Sequence, residues 1–408
     1  MKFIHTSDWH LGQRFFRFDR DEEHRHFFDQ LAGLLRREVP DALLVSGDIF
    51  DSALPTAQVQ SLFVEELLRL HEASPGTRIL LTAGNHDSGS RLEVMKPLLR
   101  PLNIDVFGCV RRTEEGGFDP AQFIVPIERG GRNVGWVLAI PYFHPWNFPA
   151  AEPDLERDKR QRAFFRRMLE AAAACNGERL PVVMMAHLAV AGCEANRRDE
   201  GVIGQLESQP LEVLGTGYDY LALGHIHRPQ SIATERARYC GSPFAMSFSE
   251  EFAHSVAVVE IDRHGDDPRV RCEEIRPLRE VKSLPVKPAS LEEGIEALRA
   301  LAEEDPSYVR VVVSAAEPMP PDAEARALEA VRDKQCRLCE VRRQAKPRAA
   351  TDIETGADRF DEVGQIQAIR PEEIAGEAFA RKYGTEMNDE LRTLLRQAIA
   401  DVTESNRQ

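Results

Sequence analysis

No stretch of this 408-residue chain stays apolar for the roughly 18 to 20 residues that a membrane-spanning helix requires. Met1 opens directly into the strand-like Lys2 to His5, with no basic segment followed by an apolar one. A cytoplasmic chain with no membrane association is therefore expected. Cysteine is scarce. The seven residues (109, 175, 193, 240, 272, 336 and 339) are odd in number and scattered, which excludes a small disulfide-stapled fold and suits reduced thiols. Cys336 and Cys339 form a CxxC with no second pair at zinc spacing, and they read as two ordinary side chains. Positive charge is also short: 52 Lys and Arg stand against 67 Asp and Glu, a net −15. That argues against a uniformly basic nucleic-acid surface and against a polybasic membrane anchor, so any polyanion must be held locally. Internal repeats and low-complexity tracts are absent.

What is present is an α/β layout long enough for two or three domains at about 150 residues each. Phe3-Ile4, Leu43 to Val45, Ile79 to Leu81, Val182 to Met185 and Tyr220 to Leu223 are apolar through consecutive positions, as strands buried on both faces are. Asp21 to Glu38, Thr56 to Glu72 and Arg157 to Cys175 carry helical apolar spacing. Phe123 to Ile127, Val134 to Ile140 and Val256 to Ile261 read as antiparallel strands. The inventory fits two sheets flanked by helices over residues 1–274. Residues 275–343 then read as a small α/β domain, with helix Ser290 to Glu303, strand Val309 to Val313, helix Asp322 to Asp333 and strand Cys336 to Val341. A polar, charged linker covers 344–367, and a helical pair covers 368–408.

The chemistry-bearing residues follow the central strands. Asp8-Trp9-His10 comes after the first, Gly47 to Asp51 after the second and Gly84-Asn85-His86-Asp87 after the third; His187 ends the fourth and Gly224 to His227 the fifth. Open α/β sheets place ligands at these strand ends. One Asp or His there is usually a turn former, but five ends would bring seven ligand types together: Asp8, His10, Asp48, Asn85, His187, His225 and His227. Concentrating such groups is costly unless a cation compensates. Oxygen and nitrogen donors without thiolate suit Mn²⁺, Mg²⁺ or Fe²⁺, and four imidazoles favour Mn²⁺. Seven ligands exceed the needs of one ion, and two ions sharing a carboxylate account for them.

The motifs Ser7-Asp8-Trp9-His10-Leu11-Gly12, Gly47-Asp48-Ile49-Phe50-Asp51, Gly84-Asn85-His86-Asp87-Ser88, His187 and Gly224-His225-Ile226-His227 resemble the calcineurin-like metallophosphoesterase family. Tyr220 to Pro229, Gly241-Ser242-Pro243 and Ser247-Phe248-Ser249-Glu250 further resemble its SbcD-like branch, the nuclease subunits of bacterial SbcCD complexes, related to double-strand-break-repair nucleases. The motifs cover about residues 1 to 260. The resemblance implies a two-sheet metallophosphoesterase sandwich with a small capping domain and a carboxyl-terminal helical pair. It implies that Asp8, His10, Asp48 and His227 hold one ion and that Asp48, Asn85, His187 and His225 hold the other, with Asp48 as the bridge. His86 corresponds to the histidine that serves the leaving oxygen. Asp87 either orients His86 or caps a helix, and Asp51 and Trp9 support the loops.

The resemblance also implies a DNA substrate, cut as a 3′ to 5′ exonuclease at duplex ends and as an endonuclease on single strands or hairpins, in repair, recombination or replication. Arg14, Arg17 and Arg20, with Arg25, alternate with Phe15, Phe16 and Phe18 beside the first motif and either meet phosphates and bases or form an amphipathic lead-in to the next helix. Arg157 to Arg167 holds six basic residues against one acidic, and Arg197 and Arg198 follow His187. The partners implied are an SbcC-like coiled-coil ATPase and a second copy of the chain, together a heterotetramer. Helix Thr56 to Glu72 is the self-association candidate: its face Val59, Leu62, Phe63, Leu67 and Leu70 either meets the sheet on one side and a second copy on the other, or is buried wholly within its own domain. Pro371 to Val402 is the candidate for docking on the ATPase, the alternative being that these helices fold back on the capping domain. The competing readings are a phosphodiesterase for small phosphate esters or cyclic nucleotides, and a non-catalytic scaffold on the same fold.

Overall fold

Two six-stranded sheets carry the first part of the chain. In the first, the strands run Arg269–Glu274, Ser255–Glu260, Lys2–Thr6, Ala42–Ser46, Arg78–Thr82 and Ile104–Phe107. The last four are parallel, and Ser255–Glu260 pairs antiparallel with both of its neighbours. The second sheet runs Gln230–Ile232, Thr234–Tyr239, Tyr220–Gly224, Val182–His187, Arg132–Ala139 and Ile124–Arg129. The computed structural model describes residues 1–113, 117–143, 157–194, 208–344 and 391. The linker expected at 344–367, the helical pair at 368–408 and the Arg197-Arg198 pair lie outside the described residues, apart from Gln344 and Leu391. The chain divides into a unit Met1–Gln344 and a unit Ala345–Gln408.

Strand alternation explains the layering. Phe3, Ala42, Leu44 and Leu80 point into a core shared with Val137, Met184, Tyr220 and Leu221 of the second sheet. Their neighbours Ile4, Leu43, Val45, Ile79 and Leu81 point the other way, onto Phe27, Phe28, Leu31, Phe63 and Leu67. Because both faces are covered, these strands read as unbroken apolar runs. The helices supplying the outer cover are Asp21–Glu38 and Ala57–Ala73, and Arg157–Cys175 packs Phe164, Phe165 and Met168 into the core shared by the two sheets. Asp21–Glu38 opens on three acidic residues, closes on Arg36 and Arg37, and stops where Val39 turns left-handed before Pro40, all of which suit its dipole and its end. Thr56 caps the next helix by accepting from the Val59 N–H.

Two expectations change here. Of the two readings of the face Val59, Leu62, Phe63, Leu67 and Leu70, division with a second copy gives way to burial in the chain's own core, where all five side chains lie. Strand Val281–Ala289 joins Tyr308–Val313 and Arg337–Arg343 in a third, parallel sheet that periodicity did not suggest. Pro285 and Pro288 disguise it, and it is an edge strand whose register shifts between Leu284 and Ala289, where proline is tolerated. Helices Leu291–Ala300, with a Ser290–Glu293 capping box, and Ala323–Ala330 cover that sheet. Cys336 joins the core under these helices, whereas Cys339 packs with Phe15, Phe248 and Tyr308, so the CxxC thiols serve different apolar clusters.

Candidate metal centre

The loops after strands Lys2–Thr6, Ala42–Ser46, Arg78–Thr82, Val182–His187 and Tyr220–Gly224 all meet at one end of the two sheets. Asp48 lies at the centre. Its Oδ2 is 3.6 Å from His10 Nε2 and 3.5 Å from His187 Nε2, and its Oδ1 accepts from the His86 N–H at 2.9 Å. Three overlapping groups could each hold a cation: Asp8, His10 and His227; His10, Asp48 and His86; and Asp8, Asp48 and His187. Asn85 Oδ1 lies 2.9 Å from both His187 Nε2 and His225 Nδ1. All seven residues expected as ligands are thus brought together, and His86, expected as a non-ligand, lies beside them.

The backbone is bent to do this. Asp8, His10, Asp48 and His225 all have positive φ, between 46° and 100°, a conformation that non-glycine residues rarely adopt and that functional sites retain. Hydrogen bonds from the first loop to the second hold Asp8 N to Gly47 O, His10 N to Asp48 O and Leu11 N to Ile49 O. A Cβ on Gly47 would overlap the His187 ring, and one on Gly84 would overlap the Asp48 carboxylate, so these approaches require glycine. Trp9, buried against Phe27 and Phe28 with its indole N–H on Thr6 Oγ1, anchors the first loop.

Orientation of the imidazoles shows what the cluster is built to accept. His187 Nδ1–H donates to Ser46 O at 2.8 Å, so in the neutral ring its Nε2 turns a lone pair towards Asn85 Oδ1. His10 and His227 face one another Nε2 to Nε2 at 3.2 Å. Lone pairs opposed at such distances repel unless a proton or a cation lies among them. Burial alone would raise the Asp48 carboxyl, yet the imidazoles of His187, His10 and His86 hold it below the ordinary carboxylate range. Burial disfavours the charged His187, but Asp48 and Asp8 outweigh it and push the ring up to about 9. His225, desolvated and next to that charge, is pushed down to about 3. A donor set of this kind, with two carboxylates, one amide oxygen, imidazoles and no thiolate, fits divalent cations of the Mn²⁺ or Mg²⁺ type.

Three site expectations are revised by the geometry. Asp87 neither orients His86 nor caps a helix: its carboxylate accepts from the N–H groups of Ile49, Phe50 and Gly84 at 3.0, 2.9 and 2.8 Å and joins two metal loops. The group that orients His86 is the Asp51 carbonyl, 2.9 Å from Nδ1, and the Asp51 carboxylate lies 3.3 Å from His10 Nδ1. Arg20 cannot meet a phosphate from solvent, because it is 1% exposed with its guanidinium on Gln13 and Ala245. Arg14 and Arg17 keep about half of their side chains exposed, although Arg17 also donates to Leu338 O. Glu250, which sequence reasoning noticed only as part of a motif, is buried 3.8 Å from His227 Nδ1. The only signal available in the sequence was the acid that closes the run Ser247-Phe248-Ser249-Glu250.

Residues 275–383 match the family described as Type 5 capsule protein repressor C-terminal domain. The chain is 37% identical over 273 residues to the SbcD subunit of the SbcCD nuclease from Rhodobacter capsulatus, covering 64% of this chain and 66% of that protein. It is 30% identical over 260 residues to the protein of the same name from Escherichia coli K12, covering 61% and 62%. The chain thus spans a little under two thirds of the length of these relatives. Among solved structures it is similar to a dimetal phosphatase from Danio rerio, at a TM-score of 0.35 and 12% identity over 66% of this chain and 98% of that one. Residues 1–229, more than half of the chain, match the family described as Calcineurin-like phosphoesterase. That match takes in every residue of the cluster from Asp8 to His227, and the chain accordingly belongs to the calcineurin-like phosphoesterase family.

Proposed function

We propose that the chain is a two-metal phosphodiesterase acting on DNA, an exonuclease at duplex ends and an endonuclease on single strands and hairpins, in end processing for repair, recombination or replication. The observation that carries this reading is the position of Asp48, one carboxylate within 3.6 Å of an imidazole nitrogen on either side. Asp8, His10, Asp48 and His227 would hold one divalent ion, and Asp48, Asn85, His187 and His225 the other, with Mn²⁺ suited by the four imidazoles. Bound cations of this kind supply Lewis acidity and neutralise the charge that develops on a phosphodiester during in-line displacement. His86 is tethered through Nδ1 to Asp51 O, so its Nε2 is the atom that, in the charged ring, would give a proton to the leaving oxygen.

The exposed Arg14, at the base of the hairpin Arg14–Asp19, and the half-exposed Phe16, in its turn, support contact with phosphates and an unstacked base. An SbcC-like coiled-coil ATPase, bound through Pro371 to Val402, would supply DNA affinity that a net charge of −15 does not. A homodimer, and with the ATPase a heterotetramer, belongs to the same reading. Since the chain's own core takes the Val59 to Leu70 face, exposed Leu54, Leu68, Val94 and Leu98 are among the apolar side chains that the described residues leave for it. The test is incubation of the full chain with Mn²⁺ and end-labelled linear DNA, a hairpin, and a small phosphodiester in parallel. Cleavage of the small ester with every DNA left intact would replace this reading with that of a small-substrate phosphodiesterase.

A further inference from the structure

Arg20 is a fully buried guanidinium, and such a charge is retained only where several groups compensate it. Its partners lie on separate parts of the chain. One terminal nitrogen donates to Gln13 Oε1 at 3.1 Å and to Ala245 O at 2.7 Å, and Nε lies 3.5 Å from Glu23 Oε1. Gln13 closes the turn after His10, its N–H on His10 O. Ala245 belongs to the segment in which the Ser242 N–H holds His227 O and Glu250 approaches the His227 ring. One cation therefore ties together the two loops whose histidines face each other at 3.2 Å. The third sheet reaches the same point. Tyr308, at the start of strand Tyr308–Val313 and 0% exposed, donates its hydroxyl to Glu23 Oε1 and receives an Arg337 N–H. Its ring lies 4.6 Å from Phe15, in a cluster with Phe248 and Cys339.

We propose that Tyr308, Glu23 and Arg20 form a positioning relay, by which docking of the 281–343 sheet sets the spacing of His10 and His227 and hence the affinity of the cation site they share. None of the three touches substrate or ion; each acts through the loops it holds. The inference rests on the metal reading above and adds a prediction that a general packing role does not make, namely that only one of two ions responds.

The experiment is calorimetric titration of the full chain with Mn²⁺ alone, comparing wild type with Tyr308→Phe, Arg20→Gln, Arg20→Lys and His227→Ala, with melting temperatures recorded alongside. Tyr308→Phe removes a single hydroxyl and keeps the test available if Arg20→Gln does not fold. Partners that orient metal ligands typically contribute about ten- to a hundredfold to affinity. Tyr308→Phe and Arg20→Gln should therefore weaken one of two Mn²⁺ ions about tenfold, the one that His227→Ala removes, and leave the other within about twofold. Arg20→Lys, still able to reach Ala245 O, should recover part of the loss. Unchanged affinity for both ions, or an equal loss from both that follows the melting temperature, would overturn the relay. A wild-type chain that takes up no Mn²⁺ would overturn the metal reading itself and the relay with it.

Discussion

Replacing Asp87 separates two roles that are hard to tell apart from sequence. Its carboxylate receives three backbone N–H groups at 2.8 to 3.0 Å, from Ile49 and Phe50 after one strand and Gly84 after the next. Hydrogen bonds to a charged acceptor contribute about 1.5 to 3 kcal/mol each, and orphaned donors cost about 1 to 3 kcal/mol where water does not reach them. Part of that gain is offset by holding a charge in a desolvated place next to Asp48, which together push the Asp87 carboxyl up to about 6. The net for Asp87→Ala is a destabilisation of about 3 kcal/mol. At roughly 2 cal/mol/K of unfolding entropy per residue, a body the size of Met1–Gln344 should lose about 4 °C in melting temperature. Asp87→Asn should lose a similar amount, since one oxygen remains for three donors and the amide NH₂ would oppose an N–H. The assay is thermal unfolding of the metal-free proteins, followed by Mn²⁺-dependent phosphodiester cleavage. A tether should lower both readings, because Asp48 and Asn85 lie on the loops that it joins. Normal melting of Asp87→Ala combined with lost cleavage would refute the tether and restore a direct role at His86.

Other outcomes follow from the same geometry. His86→Ala should abolish cleavage while metal analysis still finds both ions, whereas Asp48→Ala should lose metal; an empty site in His86→Ala would make His86 a ligand. Phe63→Ala, in the buried face of helix Ala57–Ala73, should cost about 3 to 5 kcal/mol and leave the oligomeric state seen by light scattering unchanged; conversion of a dimer to a folded monomer would return that face to an interface. Truncation after Gln365 should leave Mn²⁺-dependent cleavage of single-stranded DNA intact and abolish capture of the coiled-coil ATPase; undiminished capture would reject Pro371 to Val402 as the docking element. Hydrogen bonds from Lys2, Arg271 and Arg37 hold the Glu38 carboxyl at about 2, so its contribution is complete above the unfolded value of 4.5 and disappears as pH falls towards 2. Denaturant titrations should find Glu38→Gln less stable than wild type by up to about 1 kcal/mol at neutral pH, with the gap closing at low pH; a gap that widens there would have the wrong sign.

The strands, the long helices and the cluster of carboxylates and imidazoles are written locally in this chain. Strands such as Leu43 to Val45 are covered on both sides, so their apolar runs are continuous, and helix Asp21–Glu38 carries its own end signals. Asp, His and Asn directly after such strands are legible because chain direction in a parallel sheet delivers successive strand ends to the same edge. What the sequence could not determine depends on partners far along the chain. Asp87 finds its N–H donors 37 and 38 residues away, and periodicity carries no information about which backbone donors a folded loop leaves open. Arg20 reads like its neighbours Arg14 and Arg17, and it is interior only because Ala245 and Tyr308 close over it from more than 200 residues away. The five buried apolar residues of helix Ala57–Ala73 announce burial equally for a core or an interface, and only packing against Phe27, Phe28 and Leu81 assigned them to the core. Local patterns report that a side chain leaves water; tertiary structure alone decides what it meets when it does, because that depends on contacts between segments that the sequence keeps apart.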